Sequence, residues 1–181
     1  DLAHSELTRI ALVIKQDRYG NADELISDLE NVAQILHNNY QSLFVEDVNA
    51  LILKVKLFRF YFAKMDIRQN SAIHAQVVSY IFTEANICSD YLKLSDNERS
   101  QLLLSNFTQD ILSKVKLDDA LAHEIIATIK AVGKIQQHNG TNSIERYIIS
   151  NTDSIASVLE VLWLVNLVNQ HNSQAAIVLE V

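Results

Sequence analysis

Met65-Asp66-Ile67-Arg68-Gln69-Asn70-Ser71-Ala72-Ile73-His74 is the stretch on which the fold turns. Leading into it, Tyr61, Ala63, Met65 and Ile67 alternate with Lys64, Asp66 and Arg68. A period of two with aromatic residues at its start predicts a strand over 60–68. From Ser71 the period lengthens, and Ile73, Val77, Ile81 and Phe82 fall at helical spacing. A strand that passes straight into a helix is half of a βα unit, the repeat from which parallel sheets are built. In such folds, functional side chains gather where strands end and helices begin.

Upstream, three helices are expected. The first carries Leu7, Ile10, Ala11 and Ile14 and stops at Tyr19-Gly20-Asn21. Asn21 and Glu24 form a capping-box-like start for the second, which places Leu25, Leu29, Val32 and Leu36 on one face. The third spans about 46–57 with Val48, Leu51, Ile52 and Val55 inward, acids at its start and bases near its end, as the helix dipole prefers. Downstream, Ser95 and Glu98 cap a short helix, and Phe107, Ile111, Leu112 and Val115 suggest another. A long helix over about 118–137 buries Leu121, Ile125, Ile129 and Val132 and ends at His138-Asn139-Gly140. Residues 146–150 read as a second strand. Thr152, Asp153 or Ser154 then caps a helix over 155–170, with Val158, Leu162 and Val165 inward. The apolar run 175–181 has a strand's length. The fold class is therefore mainly α with a few short parallel strands, in which residues 1–59 are N-terminal helices and 60–181 are a partial βα segment with inserted helices.

Composition agrees. The 181 residues contain no proline and three glycines, Gly20, Gly133 and Gly140, where average usage gives about nine and thirteen. That excludes collagen-like and proline-rich chains and argues against a hairpin-rich all-β fold. The chain is 49% hydrophobic and only 20% charged, with a net charge of −7 and a mean hydropathy of +0.06, which excludes disorder and is apolar for a lone helical domain. A pI near 5.3 gives no electrostatic footprint for nucleic acid. The most apolar run, 158–168, is broken by Glu160 and Asn166 and is too short to span a membrane. The single cysteine, Cys88, excludes an intrachain disulfide, and with no leader sequence in view a cytoplasmic location is expected.

Arg68 sits at the carboxyl end of the first strand, where a guanidinium can offer two parallel donors to a phosphate or carboxylate without losing its charge. Asp66, two residues earlier on the same face, either orients Arg68 or forms a structural ion pair with it. His74 lies in the first turn of the next helix, where the positive end favours neutral imidazole, and a packed histidine bonded to backbone is the simpler reading. Ser150, Asn151 and Thr152 end the second strand, with hydroxyl and amide contacts or plain capping as their roles. His4, His37, His74, His123, His138 and His171 lack the close spacing of a metal pair. Trp163 and Cys88 read as packing, and three scattered glycines allow no phosphate loop.

The segment Lys64-Met65-Asp66-Ile67-Arg68-Gln69-Asn70-Ser71, followed by His74, resembles the R-x-D-I-R-Q-E-S-x-x-H segment of bacterial and plant-type phosphoenolpyruvate carboxylases. Tyr19 to Leu29 resembles that family's Y-x-N-x-x-x-L-x-x-D-L helix start. Tyr147-Ile148-Ile149-Ser150 resembles its Y-I-I-S-M strand, and Val158-Leu159-Glu160-Val161 its V-L-A-V helix, in the same order. The sequence departs from the family at Lys64, Asn70, Asn151 and Ile155-Ala156-Ser157, where Arg, Glu, Met and Pro-Ser-Asp are usual.

The resemblance implies an excised segment of a (β/α)₈-barrel enzyme with many extra helices, which converts phosphoenolpyruvate and bicarbonate to oxaloacetate and phosphate with Mg²⁺ or Mn²⁺. It makes Arg68 the catalytic arginine on the phosphate, with Asp66, Gln69, His74 and Ser150 as substrate-binding or supporting residues. The family's catalytic histidines, its mobile glycine- and arginine-rich loop and its two metal carboxylates match nothing here; the first of those carboxylates is expected just past Val181. The expectations are accordingly no metal site within 1–181, no activity alone, and the remainder of the same polypeptide as partner, with self-association through 175–181 as an option. A stand-alone helical interaction module is the alternative.

Overall fold

With so little proline and glycine to break them, helices run uninterrupted, and they dominate the computed structural model, which describes residues 1–108, 110–171, 176–178 and 180–181. The element order is α1 (Leu2–Lys15), α2 (Ala22–Asn39), α3 (Val45–Phe58), β1 (Met65–Asn70), α4 (Ser71–Glu84), α5 (Asp96–Ser105), α6 (Ala120–Asn139), β2 (Ile144–Ser150) and α7 (Ile155–Asn169). Short 3-10 turns cover Tyr91–Lys93 and Thr141–Ser143. The chain divides into two compact units, Asp1–Lys64 with His138–Gly140, and Met65–Gln137 with Thr141–Val181.

In the first unit, α1, α2 and α3 close around Leu25, Ile26, Leu29, Val32 and Leu36 of α2, joined by Ala3, Ile10 and Ile52. The Asn21 side chain accepts from Glu24 N at 3.1 Å, and Glu24 reaches back to Gly20 N at 3.0 Å, one residue earlier than a regular box. Asp28 is the polar tie, receiving Arg9 Nη2 at 2.7 Å and the Tyr19 hydroxyl at 2.6 Å, which holds its carboxyl below the usual range. Two expected inward faces are shallower than their periodicity predicts. Leu7 and Ile14 of α1 and Leu51 of α3 remain exposed, and Leu53, Leu57 and Phe58 join them on α3.

The expected strand start at residue 60 is corrected. Arg59 (φ 49°) and Phe62 (φ 59°) take left-handed conformations, and Phe62 N bonds Phe58 O at 2.8 Å, so 59–64 is a turn closing α3. The Phe58 and Phe62 rings stack at 5.0 Å, which puts aromatics in this turn and mimics a strand's alternation. β1 begins only at Met65.

The second unit gathers Val77, Val78, Ile81 and Phe82 of α4, Ile125, Ile126, Ile129 and Val132 of α6, and the apolar residues of α7 into one core. Helix α7 is apolar nearly all round: Ala156, Val161, Trp163, Leu164, Leu167 and Val168 are all buried, while the expected inward Leu162 is 38% exposed. Trp163 packs edge-on to Phe82 at 5.0 Å and donates to Asn106 O at 3.3 Å. The helix expected around Phe107–Val115 does not form among the described residues of that stretch. The Phe107 carbonyl, which helical bonding would need, is taken instead by Asn166 of α7 and by Gln170 just past its end, while Ile111, Leu112 and Val115 still reach the core as loop anchors.

β1 and β2 pair in parallel, as expected. The third strand shrinks to a single parallel bridge between Arg146 and Glu180, with Ala175 and Leu179 outside the described residues. Gln136, buried on α6, bonds Ile144 O at 2.6 Å and Val178 O at 2.7 Å, fastening the start of β2 and the following tail with one amide.

Because Trp163 is 1% exposed and fills the centre of this packing, Trp163→Ala is expected to cost about 3–5 kcal/mol. Urea unfolding measures it; a loss below about 1 kcal/mol would remove Trp163 from the core.

Candidate functional site

β1 and β2 end level with one another. Arg68 lies opposite Ile148, Gln69 opposite Ile149 and Asn70 opposite Ser150. The carboxyl edge of the pair thus gathers polar residues from both strands, and both following helices begin there. Asn70 accepts from Ala72 N at 2.9 Å and caps α4, a role in which asparagine is among the best residues. The Ser71 hydroxyl donates to Asn151 O at 2.7 Å, tying one strand exit to the other. Asn151 itself turns in the left-handed region (φ 56°), which its short amide tolerates.

The predicted site residues separate into three environments. Arg68 and Asp66 are exposed on the same face of β1, and among the described residues neither makes an ion pair or a side-chain hydrogen bond, so the structural pair between them does not form. Gln69 and Ser150 are occupied locally. Gln69 Oε1 accepts from Asn70 N at 2.9 Å, and the Ser150 hydroxyl donates to Gln69 O at a long 3.4 Å. His74 is wholly buried, and its Nε2 meets the hydroxyl of Tyr147, not backbone, at 2.9 Å. Tyr147 lies opposite Ile67, hence on the sheet face away from Arg68. Burial pushes His74 down to about 4, so the ring is neutral, and its Nδ1 finds no partner among the described residues.

A second polar cluster escaped the sequence reading. Glu160, which there only interrupts an apolar run, is fully buried on α7. Its Oε1 receives the Tyr91 hydroxyl at 3.0 Å and Arg99 Nη1 at 3.2 Å, while Oε2 has no hydrogen-bond partner among the described residues. Burial outweighs the guanidinium and pushes Glu160 up to about 7. The one available signal was a glutamate, the single charged residue of the run 158–168, since such a residue must find partners or stay protonated.

A family model for phosphoenolpyruvate carboxylase matches residues 2–181. The chain belongs to the phosphoenolpyruvate carboxylase family. Membership implies a parent carboxylase, and with it a divalent cation. Among the described residues no three His, Cys, Asp or Glu side chains come together as ligands, so no donor set among them fits that ion. No helix of the described residues is long and apolar enough to cross a membrane.

The two buried titrating groups oppose one another in pH. His74 is held below its ordinary 6.5, so the unfolded chain binds its proton first and stability falls as pH drops from about 6.5 toward 4. Glu160 is held above its ordinary 4.5, so the folded chain binds its proton first and stability falls as pH rises from about 4.5 to 7. Each slope approaches about 1.4 kcal/mol per pH unit, and between 4.5 and 6.5 they offset. Relative to the parent, Glu160→Gln is expected to lose stability on acidification across that window and His74→Gln to gain it. Urea midpoints at several pH values check this; parallel profiles for all three proteins would contradict both assignments.

Proposed function

We propose that this chain serves in the carboxylation of phosphoenolpyruvate, with Arg68 as the residue that holds phosphate oxygens of the substrate or of a carboxyphosphate intermediate. The observation that carries this reading is an exposed arginine, without a partner among the described residues, near the carboxyl edge of a parallel strand pair in a carboxylase family chain. A guanidinium already spent on a structural carboxylate would have little left for a ligand. Here its donors stay available, and a planar fork suits two oxygens of one phosphate.

In the reaction, bicarbonate takes the phosphoryl group, leaving the enolate of pyruvate and carboxyphosphate. The carboxyphosphate C–O bond then breaks to carbon dioxide and phosphate, and the enolate carbon attacks that carbon dioxide to give oxaloacetate. Negative charge spreads over the phosphoryl oxygens during transfer, and a fixed positive fork stabilises it without reorganising. The amino ends of α4 and α7, which open at the same strand edge, add favourable dipole ends for an anion. Gln69 and Ser150 support the edge, Asp66 contributes negative charge beside Arg68, and His74 braces the opposite face through Tyr147. The catalytic histidines and metal carboxylates of the family come from outside these residues, so residues 1–181 alone are inactive in this reading. The exposed Leu51, Leu53, Leu57 and Phe58 on α3 support it, as an apolar face suited to packing against the remainder of an enzyme.

Two measurements test the proposal. Residues 1–181, given phosphoenolpyruvate, bicarbonate and Mg²⁺, should release no phosphate above background; clear turnover would contradict the missing groups. In the whole carboxylase, Arg68→Ala is expected to lower kcat/KM by about 10³-fold or more, with stability changed by less than about 0.5 kcal/mol because the side chain is exposed. Arg68→Lys, which keeps the charge and loses the fork, should fall between. Near-normal kinetics for Arg68→Ala would remove it from the site.

A further inference from the structure

Helix α3 presents two rows of residues to solvent, one apolar and one charged. Phe44, Leu51 and Phe58 recur every seven residues, so they share one side of the helix, and they are 63%, 46% and 42% exposed. Phe62 extends the row by stacking on Phe58. A contiguous apolar surface of this kind marks an interaction site, where scattered exposed residues do not. The turn that leads into it is strained. Gln41, Ser42 and Phe44 all take left-handed backbone (φ 52°, 63° and 63°), at a steric cost that the exposed Phe44 ring does not recover by packing within the chain.

The second row is Asp47 and Lys54, also seven residues apart. Both are exposed, and neither has an ion pair or a side-chain hydrogen bond among the described residues. They stand about 10 Å apart along the helix, too far to pair with each other. With Glu46 and Lys56 included, α3 carries two acids at its start, two bases toward its end, and no net charge. A second α3 laid antiparallel inverts that order. A two-fold axis beside Leu51 sets Leu51 against its own copy, Phe44 against Phe58 of the second copy, and Asp47 against Lys54 of the second copy. The pairs off the axis occur twice. Ala50, next to the axis, is small enough to let the two helices approach closely.

We propose that this chain forms a two-fold dimer in which α3 packs antiparallel on α3 of a second copy. In the proposed function other polypeptide covers this face, and the order of residues along α3 says which. A parallel pairing would set Asp47 on Asp47 and Lys54 on Lys54. An uncharged apolar helix would leave both charges in the contact without partners. The neutrality of α3 matters because the chain as a whole carries −7, which opposes self-association. One helix pair about 20 Å long buries less than a standard interface, which places the association in the micromolar range.

Sedimentation equilibrium of the 181-residue chain, from about 1 to 200 µM, tests this. The mass should rise with concentration from the 20.5 kDa protomer toward twice that value. Asp47→Lys and Lys54→Asp should each weaken the dimer at least about tenfold, because symmetry places like charges in contact twice. Mixed in equal amounts, the two variants should associate again, since each supplies the charge that the other lacks. The double variant Asp47→Lys with Lys54→Asp should dimerise like the parent. Both positions are exposed, so circular dichroism should be unchanged in every variant. A monomer at every concentration would hand the face to other polypeptide and overturn the proposal. So would a dimer indifferent to both single changes, which would place the contact elsewhere, or a double variant that stays monomeric. Sedimentation needs no turnover, so each of these results leaves the reaction assigned to Arg68 to its own test.

Discussion

Everything at the candidate site depends on the parallel register of β1 and β2. Because Asn70 and Ser150 lie opposite each other, both strands release their helices at one edge, and α4 and α7 start side by side. The Ser71 hydroxyl on Asn151 O fixes that junction, and the buried contact between His74 and Tyr147 couples the first turn of α4 to the middle of β2. A slip of one residue would send Tyr147 to the exposed face and bring Ile148 inward, leaving His74 without the one side-chain hydrogen bond it makes among the described residues. The register therefore decides both what the second unit buries and where Arg68 points its charge.

The second unit uses polar side chains, some of them buried, as fasteners where irregular chain meets helix. Gln136 holds the start of β2 and the tail, Asn166 and Gln170 take the Phe107 carbonyl, and Glu160 joins Tyr91 and Arg99 to α7. These contacts explain how a chain without proline keeps long loops in place: side-chain amides, not turn residues, satisfy the loop backbone. Glu160 is the exception, an acid drawn into an interior that supplies fewer donors than it needs.

Much of this was legible in the sequence. The α2 face of Leu25, Leu29, Val32 and Leu36, the Ser95–Glu98 box, and the parallel βα order all followed from spacing, because each is a local pattern that one face of one element satisfies. Errors came where a pattern was fulfilled by something non-local. The aromatics before Met65 belong to a turn, and the apolar residues after Phe107 anchor a loop whose carbonyl bonds α7. Helix α7 has no single buried face for periodicity to find, since almost every side of it is covered. For the site, strand position alone suggested Arg68 and the resemblance gave it a role, whereas Glu160 and Gln136 draw their importance from partners 61 to 69 and 8 to 42 residues away, which no window of sequence displays.

In the proposed function Arg68 carries the account: a guanidinium without an ion pair among the described residues, near the strand edge where that reading places a phosphate. The most direct measurement follows the Nε–Hε resonance of Arg68 in the ¹⁵N-arginine-labelled carboxylase as phosphoenolpyruvate is added. The account predicts a saturable downfield shift of that one resonance, absent when a substrate analogue lacking the phosphate is used. A resonance that stays in place while phosphoenolpyruvate saturates the enzyme would contradict it.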